Sequence, residues 1–256
     1  MQLNYKSFGS GPALIILHGL FGSLDNWQGL AKQYAEHFSV FIVDQRNHGK
    51  SPHSDDPFNY QVLADDLVEF MEQQGIPTAS LIGHSMGGKA VMQFAVDNEY
   101  MIDKLVVADM GIGPNDHRHT EIIDALFAFP FDEIKERKLA DEWLEKRIPD
   151  FGVRQFLLKS LDRRPDKGFA WKFNIEVLNR DYANILEGIA AQYPVEVPTL
   201  FIRGGQSDYV KDADLPEIKE MFPEMQLETI AEAGHWLHAA QPKEFFEKTM
   251  AFLTGA

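Results

Sequence analysis

One short stretch constrains this chain more than any other, residues 81–90, which read Leu-Ile-Gly-His-Ser-Met-Gly-Gly-Lys-Ala. An apolar run stops there at Ser85, which stands between Gly83 and Gly87. This spacing is typical of a tight strand-to-helix turn that strains the serine backbone, since a β-carbon at either glycine position would clash. The residues from 86 to 96 favour a helix whose first amides point toward the turn. The pattern predicts that the Ser85 hydroxyl projects from the turn as a nucleophile, although it also occurs by chance in unrelated chains.

Composition narrows the class of protein. The chain has 256 residues, 45% of them hydrophobic, which is enough for one large domain or one domain with an insertion. A formal net charge of -15 argues against a nucleic-acid partner and against adhesion to anionic lipid. The absence of cysteine excludes disulfides, thiolate metal sites and a cysteine nucleophile, and it fits a reducing cytoplasm.

Targeting and membrane signals are also weak. Residues 1–6 lack the apolar core of a signal peptide, and no apolar run is long enough to span a bilayer. We expect a soluble cytoplasmic protein without membrane insertion, either a monomer or a small homo-oligomer, that uses no cofactor and no metal.

Strand and helix patterns alternate on both sides of a central segment. Several runs are apolar on both faces, which is typical of strands inside a parallel sheet covered by helices. The strand candidates are residues 3–8, 13–17, 40–44, the apolar run that begins at 81 and stops at Ser85, 104–109, the strand-and-loop segment 198–208, and 225–230. Residues 60–74 and 242–253 have amphipathic helical spacing. We therefore predict an α/β fold with a mostly parallel central sheet flanked by helices, formed by residues 1–112 and 191–256.

Residues 113–190 break this alternation and are unusually aromatic. Their spacing predicts four helices, separated by prolines and glycines that include Pro165; the helices are residues 121–128, 132–147, 153–161 and 173–189. We interpret the segment as a helical cap inserted after the strand that follows the Ser85 turn. Most of its aromatic side chains should only pack the cap. Phe127 and Trp171, together with Trp236 outside the cap, are the candidates for a substrate pocket.

Three polar residues stand at strand ends, in the order serine, acid, histidine. Ser85 comes first, an aspartate follows, and His235 lies near the C-terminus between Gly234 and Trp236. This is the chain order of the α/β-hydrolases, which the sequence resembles from end to end. The resemblance rests on four motifs: His-Gly at 18–19, Asp-Gln-Arg-Asn-His-Gly-Lys-Ser at 44–51, the elbow at 83–88, and Gly-His-Trp at 234–236.

Within that family, two segments are similar to one bacterial esterase group. They are His-Gly-Leu-Phe-Gly-Ser-Leu-Asp-Asn at 18–26 and Arg-Asn-His-Gly at 46–49. The group includes acyl-thioester hydrolases and has similar relatives in mammalian mitochondria. The resemblance implies a small-molecule acyl ester or thioester as substrate.

The chemistry of such a set assigns a role to each residue. Ser85 would attack a carbonyl carbon, and His235 would take the serine proton and return it to the leaving group. An acid would fix the tautomer of the histidine and stabilise its positive charge. The backbone amides of Leu20 and Met86 would form the oxyanion hole.

Two aspartates compete for the role of the acid. Asp208 stands where most of the superfamily carries this residue, whereas Asp109 ends the strand after the elbow, a position that some members use. The esterase group that the chain resembles often lacks an acid at the first position and keeps one at the second. We therefore favour Asp109 and keep Asp208 as the alternative.

Three functions compete. A hydrolase of carboxylic esters or acyl thioesters, acting through an acyl-enzyme, suits the triad, the oxyanion loop and the apolar cap. A lyase of the menaquinone-pathway synthase type uses a similar elbow and needs several arginines at its pocket, which Arg118, Arg154, Arg163 and Arg164 could supply. A non-catalytic ligand receptor on the same fold is the third possibility.

Overall fold

A computed structural model describes residues 1–164 and 168–255 of the chain. Its strands are β1 Tyr5–Phe8, β2 Ala13–Leu17, β3 Ser39–Val43, β4 Ala79–His84, β5 Ile102–Ala108, β6 Leu161–Arg164, β7 Gly168–Trp171, β8 Thr199–Gly204 and β9 Met225–Ile230. Its α-helices are α1 Gln28–Tyr34, α2 Tyr60–Gln74, α3 Met86–Asn98, α4 Thr120–Phe127, α5 Arg137–Glu145, α6 Phe151–Lys159, α7 Ile175–Arg180, α8 Tyr182–Leu186, α9 Leu215–Met221, α10 Leu237–Ala240 and α11 Pro242–Thr254. Short 3-10 helices cover Leu24–Asn26, Glu99–Met101 and Asp212–Asp214.

Seven strands form the central sheet in the order β1-β3-β2-β4-β5-β8-β9. β1 is antiparallel to β3, and the other neighbouring pairs are parallel. β4 and β2 are almost fully buried, because helices cover both faces of the sheet. The predicted α/β fold with a mostly parallel sheet is confirmed. Because the strands are parallel, the carboxyl ends of β4, β5 and β8 lie at one edge.

The segment from 113 to 190 is less purely helical than the sequence predicts. β6 and β7 pair as an antiparallel hairpin with Leu161 opposite Trp171, where the spacing predicts the end of a helix and a loop. Each strand has only four residues, too few for alternation to stand out. The predicted helix 173–189 is likewise two short helices, α7 and α8, that meet at Asp181. Pro165, predicted to separate two helices, lies outside the described residues.

The two ends of this segment meet beside the elbow helix. The Ile189 amide donates to the Ile112 carbonyl over 2.8 Å. Lys89, on α3 and fully buried, donates from Nζ to the Gly113 carbonyl over 2.8 Å and also to the Glu187 carbonyl. Burial lowers the pKa of this lysine to about 8. One side chain thus joins the helix after Ser85 to both ends of the segment from 113 to 190.

The searched part of the chain, residues 1–164 and 168–255, contains no helix with both the length and the apolar character needed to cross a bilayer.

Candidate active site

Ser85 occupies the sharp turn between β4 and α3, as the glycine spacing predicts. Its backbone has φ 54° and ψ -121°, a strained conformation for a residue with a β-carbon. A β-carbon on Gly83 would lie 2.2 Å from the Gly87 carbonyl oxygen, and one on Gly87 would lie 2.6 Å from the His18 carbonyl oxygen. Only glycine fits these two positions, so the turn depends on both. The Ser85 amide donates to the Ala108 carbonyl over 3.1 Å, which joins the turn to the end of β5.

His235 lies beside the serine. Its Nε2 is 2.9 Å from Ser85 Oγ, within hydrogen-bond distance. The Tyr209 ring stacks on the imidazole, with centroids 3.9 Å apart and planes 16° apart. His84 Nε2 donates to the His235 carbonyl over 2.8 Å, which fixes the backbone of the loop after β9. Tyr209 therefore holds the imidazole from one face, and His84 holds the main chain of His235.

Asp109 completes the hydrogen-bonded chain. It follows β5 directly, adopts a left-handed φ of 49°, and is fully buried. His235 Nδ1 donates to its Oδ2 over 2.7 Å. The Gly204 amide donates to Oδ1 over 3.0 Å, and the Ser207 hydroxyl donates to Oδ2. Three donors therefore satisfy this buried carboxylate, which would be costly to bury unpaired.

Asp208 has different partners. Its side chain is 66% exposed and forms an ion pair with Arg118, whose guanidinium also lies 4.6 Å from the centroid of the Tyr209 ring. The hydrogen bond from Arg118 holds the pKa of the Asp208 carboxyl below its usual range. Of the two candidate acids, the structure brings Asp109 to His235 and leaves Asp208 at the surface.

Two backbone amides belong to residues that line a small space together with Ser85. Leu20 lies in the loop after β2, and Met86 is the first residue of α3. Across residues 1–164 and 168–255, neither amide donates to a protein acceptor. Helix-terminal and loop amides of this kind are free to bind a developing oxyanion.

Neutral histidines hold the loop that carries Leu20. His48 Nε2 accepts from the Phe21 amide over 3.3 Å, so its Nδ1 carries the proton and donates to the Arg46 carbonyl over 3.0 Å. His18 Nε2 accepts from the Gln45 amide over 3.1 Å in the same manner. Burial lowers the pKa of His18 to about 4 and that of His48 to about 3. Both rings therefore remain neutral acceptors at neutral pH.

A cavity of about 240 Å³ opens above Ser85. Its lining consists of residues from the loop after β2, the Ser85 turn, segment 113–190 and the two loops beside His235, namely Gly19, Leu20, Phe21, His84, Ser85, Arg118, His119, Ile122, Val153, Phe156, Leu157, Tyr209, His235 and Trp236. Most of the surface is apolar. Burial lowers the pKa of His119 to about 4, so this ring also adds no positive charge at neutral pH.

Of the three predicted pocket residues, one lines the cavity and two do not. Trp236 lines the cavity, with its ring 5.7 Å from that of Phe156. The predictions for Phe127 and Trp171 are wrong. Phe127 lies at the end of α4 and is 56% exposed, whereas Trp171 is buried in a cluster with Phe129 and donates from Nε1 to the Leu126 carbonyl over 2.9 Å. A rise in aromatic content marks a packed layer but does not identify which rings face the cavity.

Some residues of the site were not identified from the sequence, because their partners are close in space but distant along the chain. Ser207 and Tyr209 flank the alternative acid Asp208 in sequence, yet their partners are Asp109 and His235. The residues between 113 and 190 that line the cavity carry no motif. Only the helical spacing of Val153 and its neighbours on α6 gives a signal, and that spacing does not reveal what the helix faces.

The fold and the site geometry together define a class: a parallel-sheet α/β protein with a strained serine, a histidine and a buried aspartate in one hydrogen-bonded chain. A sequence profile described as alpha/beta hydrolase fold matches residues 12–242. The chain belongs to the α/β-hydrolase family.

Relatives that are named for an activity support the same assignment. The chain is 38% identical to the sn-1-specific diacylglycerol lipase ABHD11 of Mus musculus, over 94% of this chain and 81% of that protein. It is 41% identical to the esterase YbfF of Escherichia coli (strain K12), over 90% of this chain and 88% of that protein. Among solved structures, one titled "Marine microorganism esterase" has a TM-score of 0.95 and 44% identity, covering 98% of this chain and 99% of its own.

Proposed function

We propose that this protein is a serine hydrolase that cleaves carboxylic esters through an acyl-enzyme. The observation that carries the proposal is the continuous hydrogen-bonded chain from Ser85 Oγ to His235 Nε2, 2.9 Å, and from His235 Nδ1 to Asp109 Oδ2, 2.7 Å. The esterase and lipase names of the similar proteins support the same reaction class.

Acylation begins at Ser85. Its Oγ attacks the ester carbonyl carbon while His235 Nε2 takes the hydroxyl proton. Asp109 keeps the other imidazole proton on Nδ1, so Nε2 is the free base, and then stabilises the imidazolium. The tetrahedral intermediate collapses when His235 returns the proton to the alkoxy oxygen and the C–O bond to the alcohol breaks.

The negative charge of that intermediate needs fixed donors. The Leu20 and Met86 amides are proposed to bind the oxyanion, supported by their position beside Ser85 and their lack of protein acceptors in the described chain. Removing one such donor costs on the order of 10² to 10³ in turnover in other serine hydrolases.

Deacylation repeats these steps with water. His235 takes a proton from the water, the hydroxide attacks the acyl carbon, and Ser85 leaves with the returned proton. The same cycle applies to an acyl thioester with a thiol as the leaving group, so the proposal covers both ester types. We further propose that residues 113–190 form a cap over the site and that the protein works in the cytoplasm, consistent with its lack of cysteine.

The lyase alternative loses support. It requires several pocket arginines, but of the four candidates only Arg118 lines the cavity. Arg154 is buried against Asp141 and the carbonyls that precede α6, and Arg163 lies over the Phe169 ring of the hairpin. One arginine paired with Asp208 leaves little positive charge for an anionic substrate.

The test is hydrolysis of p-nitrophenyl acetate with labelling by a fluorophosphonate. The wild-type protein should release a burst of p-nitrophenol and take up one label per chain, and Ser85→Ala should do neither while its circular dichroism is unchanged. A folded wild-type protein that shows no turnover and no label would point to the ligand-receptor alternative and overturn the proposal.

A further inference from the structure

Two cavities of very different size meet at Ser85. The cavity of about 240 Å³ described above is called the large arm. A second space of about 20 Å³, called the small arm, has Tyr60, Ser85, Met86, Asn115 and Leu186 among its lining residues. The nucleophile lines both arms, so a bound ester must place one side of its carbonyl in each.

The residues around Ser85 divide between the arms. His235 and His84 line only the large arm, and Met86 lines only the small arm. In the tetrahedral intermediate the leaving oxygen must lie near His235 Nε2, because this nitrogen returns the proton. The alkoxy side of the ester therefore points into the large arm, which leaves the small arm for the acyl substituent.

We propose that the large arm binds the alcohol part of the substrate and the small arm binds the acyl part. The preferred substrates are then short-acyl esters, acetyl or propionyl, of bulky apolar alcohols. This assignment rests on the serine-hydrolase function proposed above and names the substrate class of that site.

The size of the small arm limits the acyl group. A volume of about 20 Å³ is close to the roughly 10 to 15 Å³ that one water-sized probe requires, so it holds a methyl or ethyl group. Its walls are fixed. Tyr60 is buried and donates to the Ile185 carbonyl over 2.7 Å, and the Asn115 amide donates to the Leu186 carbonyl over 2.8 Å. A long acyl chain would have to displace these paired segments.

The large arm suits an apolar alcohol. Ile122 comes from α4, Val153 and Phe156 from α6, and Trp236 from the loop after β9, so the alcohol would meet aliphatic and aromatic surface. Its volume lies just below the range of about 300 to 1,000 Å³ usual for small-molecule pockets.

The reaction balances with no further reactant than water. The bond from Ser85 Oγ to the acyl carbon forms, and the bond from that carbon to the alkoxy oxygen breaks. The proton passes from Ser85 through His235 to the alkoxide, and the neutral alcohol leaves through the large arm. Water then cleaves the short acyl group from Ser85 as a carboxylic acid.

Two substrate series test the assignment. p-Nitrophenyl acetate, butyrate and octanoate vary only the acyl part, whereas ethyl acetate and cyclohexyl acetate vary only the alcohol. For the wild-type protein, kcat/KM should fall by roughly tenfold or more from acetate to octanoate and should rise by a similar factor from ethyl to cyclohexyl acetate, since one methylene in an apolar pocket is worth about 10- to 200-fold. A flat acyl profile, or a preference for octanoate, overturns the proposal.

Variants identify the arm responsible for each preference. Leu186→Ala should raise the octanoate-to-acetate ratio by about tenfold and leave the cyclohexyl-to-ethyl ratio unchanged. Phe156→Ala should change the alcohol ratio and leave the acyl ratio unchanged. Phe127→Ala, an exposed aromatic on the same segment that lines neither arm, is the matched control and should change neither ratio.

Failures of the two proposals are distinguishable. If Phe156→Ala changes the acyl ratio and Leu186→Ala changes the alcohol ratio, the arms are reversed and the assignment is wrong, although a normal fluorophosphonate label would leave the nucleophile in place. If Leu186→Ala does not fold, Leu186→Val gives the same test with a smaller increase. Loss of the label in wild-type protein would instead overturn the hydrolase function itself.

Discussion

The Asp109 carboxylate accepts a hydrogen bond from His235 Nδ1 over 2.7 Å. Asp109 lies just after the end of β5, the strand that follows the elbow strand β4 along the chain. Because β4 and β5 are neighbours in the sheet, nucleophile and carboxylate leave adjacent strand ends. The acid therefore needs only a left-handed turn at its own position to reach the imidazole. At the later position, Asp208 extends toward solvent and pairs with Arg118.

The first prediction separates these two aspartates. Asp109→Asn should lower kcat by orders of magnitude, about 10⁴ in a serine protease triad, because an amide favours the wrong imidazole tautomer. Asp208→Asn is the matched control and should cost little, since it removes only an exposed ion pair. Steady-state kinetics on p-nitrophenyl acetate provide the measurement. A large loss in Asp208→Asn with a small one in Asp109→Asn would reverse the assignment. Comparable partial losses, with a much worse double variant, would mean that the two carboxylates share His235.

The second prediction concerns Ser85→Ala. Loss of the nucleophile should reduce turnover by about 10⁴-fold or more. The fold should remain, because the change removes one hydroxyl from a turn held by backbone bonds. Thermal unfolding and ester hydrolysis should be measured on the same sample. Retention of more than about a tenth of the wild-type rate would exclude Ser85 as the nucleophile.

The third prediction concerns Ser207, which the sequence did not single out. Its hydroxyl donates to the buried Asp109 carboxylate, and a hydrogen bond to a charged group is worth about 1.5 to 3 kcal/mol. Ser207→Ala should therefore lower kcat by roughly 10- to 100-fold with little change in KM, while Ser207→Thr, which keeps the hydroxyl, should recover much of the rate. A change confined to KM would mean that Ser207 does not act through Asp109.

Local patterns predicted the elbow and most of the central sheet. Gly83 and Gly87 reveal the turn because steric exclusion acts over a few residues, and strands such as Ala13–Leu17 are apolar on both faces because both faces are covered. The order of Ser85 and His235 along the chain then pointed to the site. All three signals depend on short spacings or on a known order.

Residues 113–190 were harder to predict because their contacts are long-range. The strand Gly168–Trp171 has four residues and, within residues 1–164 and 168–255, pairs with its own hairpin partner alone, so its alternation is too brief to compete with helical spacing. Asp181 interrupts a predicted helix, and its carboxylate accepts from the Phe58 amide over 2.8 Å, a contact 123 residues away. Which rings face Ser85 depends on such distant contacts.

The fourth prediction separates packing from substrate contact in that segment. Trp171→Ala should reduce the free energy of unfolding by about 3 to 5 kcal/mol, because it empties a buried site and removes the hydrogen bond from Trp171 Nε1 to the Leu126 carbonyl. Phe127→Ala, at an exposed position, should stay within about 0.5 kcal/mol of wild type. Urea denaturation measures both. Neither change should alter the ratio of octanoate to acetate hydrolysis. A selective loss of octanoate hydrolysis would mean that these rings contact the substrate.

The last prediction follows from the neutral histidines behind the loop that carries Leu20. Burial lowers the pKa of His48 to about 3 and that of His18 to about 4, whereas an unfolded histidine titrates near 6.5. Below pH 6.5 the unfolded chain therefore binds more protons than the native protein, so the free energy of unfolding decreases as the pH falls toward 4 and then 3. The stabilisation is fully present above pH 6.5.

Substitution of one ring tests this directly. In His48→Gln the side-chain oxygen can still accept from the Phe21 amide, but it takes up no proton. Unfolding of the variant should take up one proton fewer than unfolding of the wild type. Between pH 6 and pH 4 its free energy of unfolding should therefore fall less steeply, with a slope smaller by about 1.4 kcal/mol per pH unit. Urea denaturation at half-unit pH intervals gives both slopes. His238→Gln controls for the loss of the Phe21 contact. Burial lowers the pKa of His238 to about 3 as well, so this variant should flatten the slope in the same way while the Phe21 amide keeps its His48 acceptor. Equal slopes in wild type and His48→Gln would mean that His48 is not held neutral in the native protein.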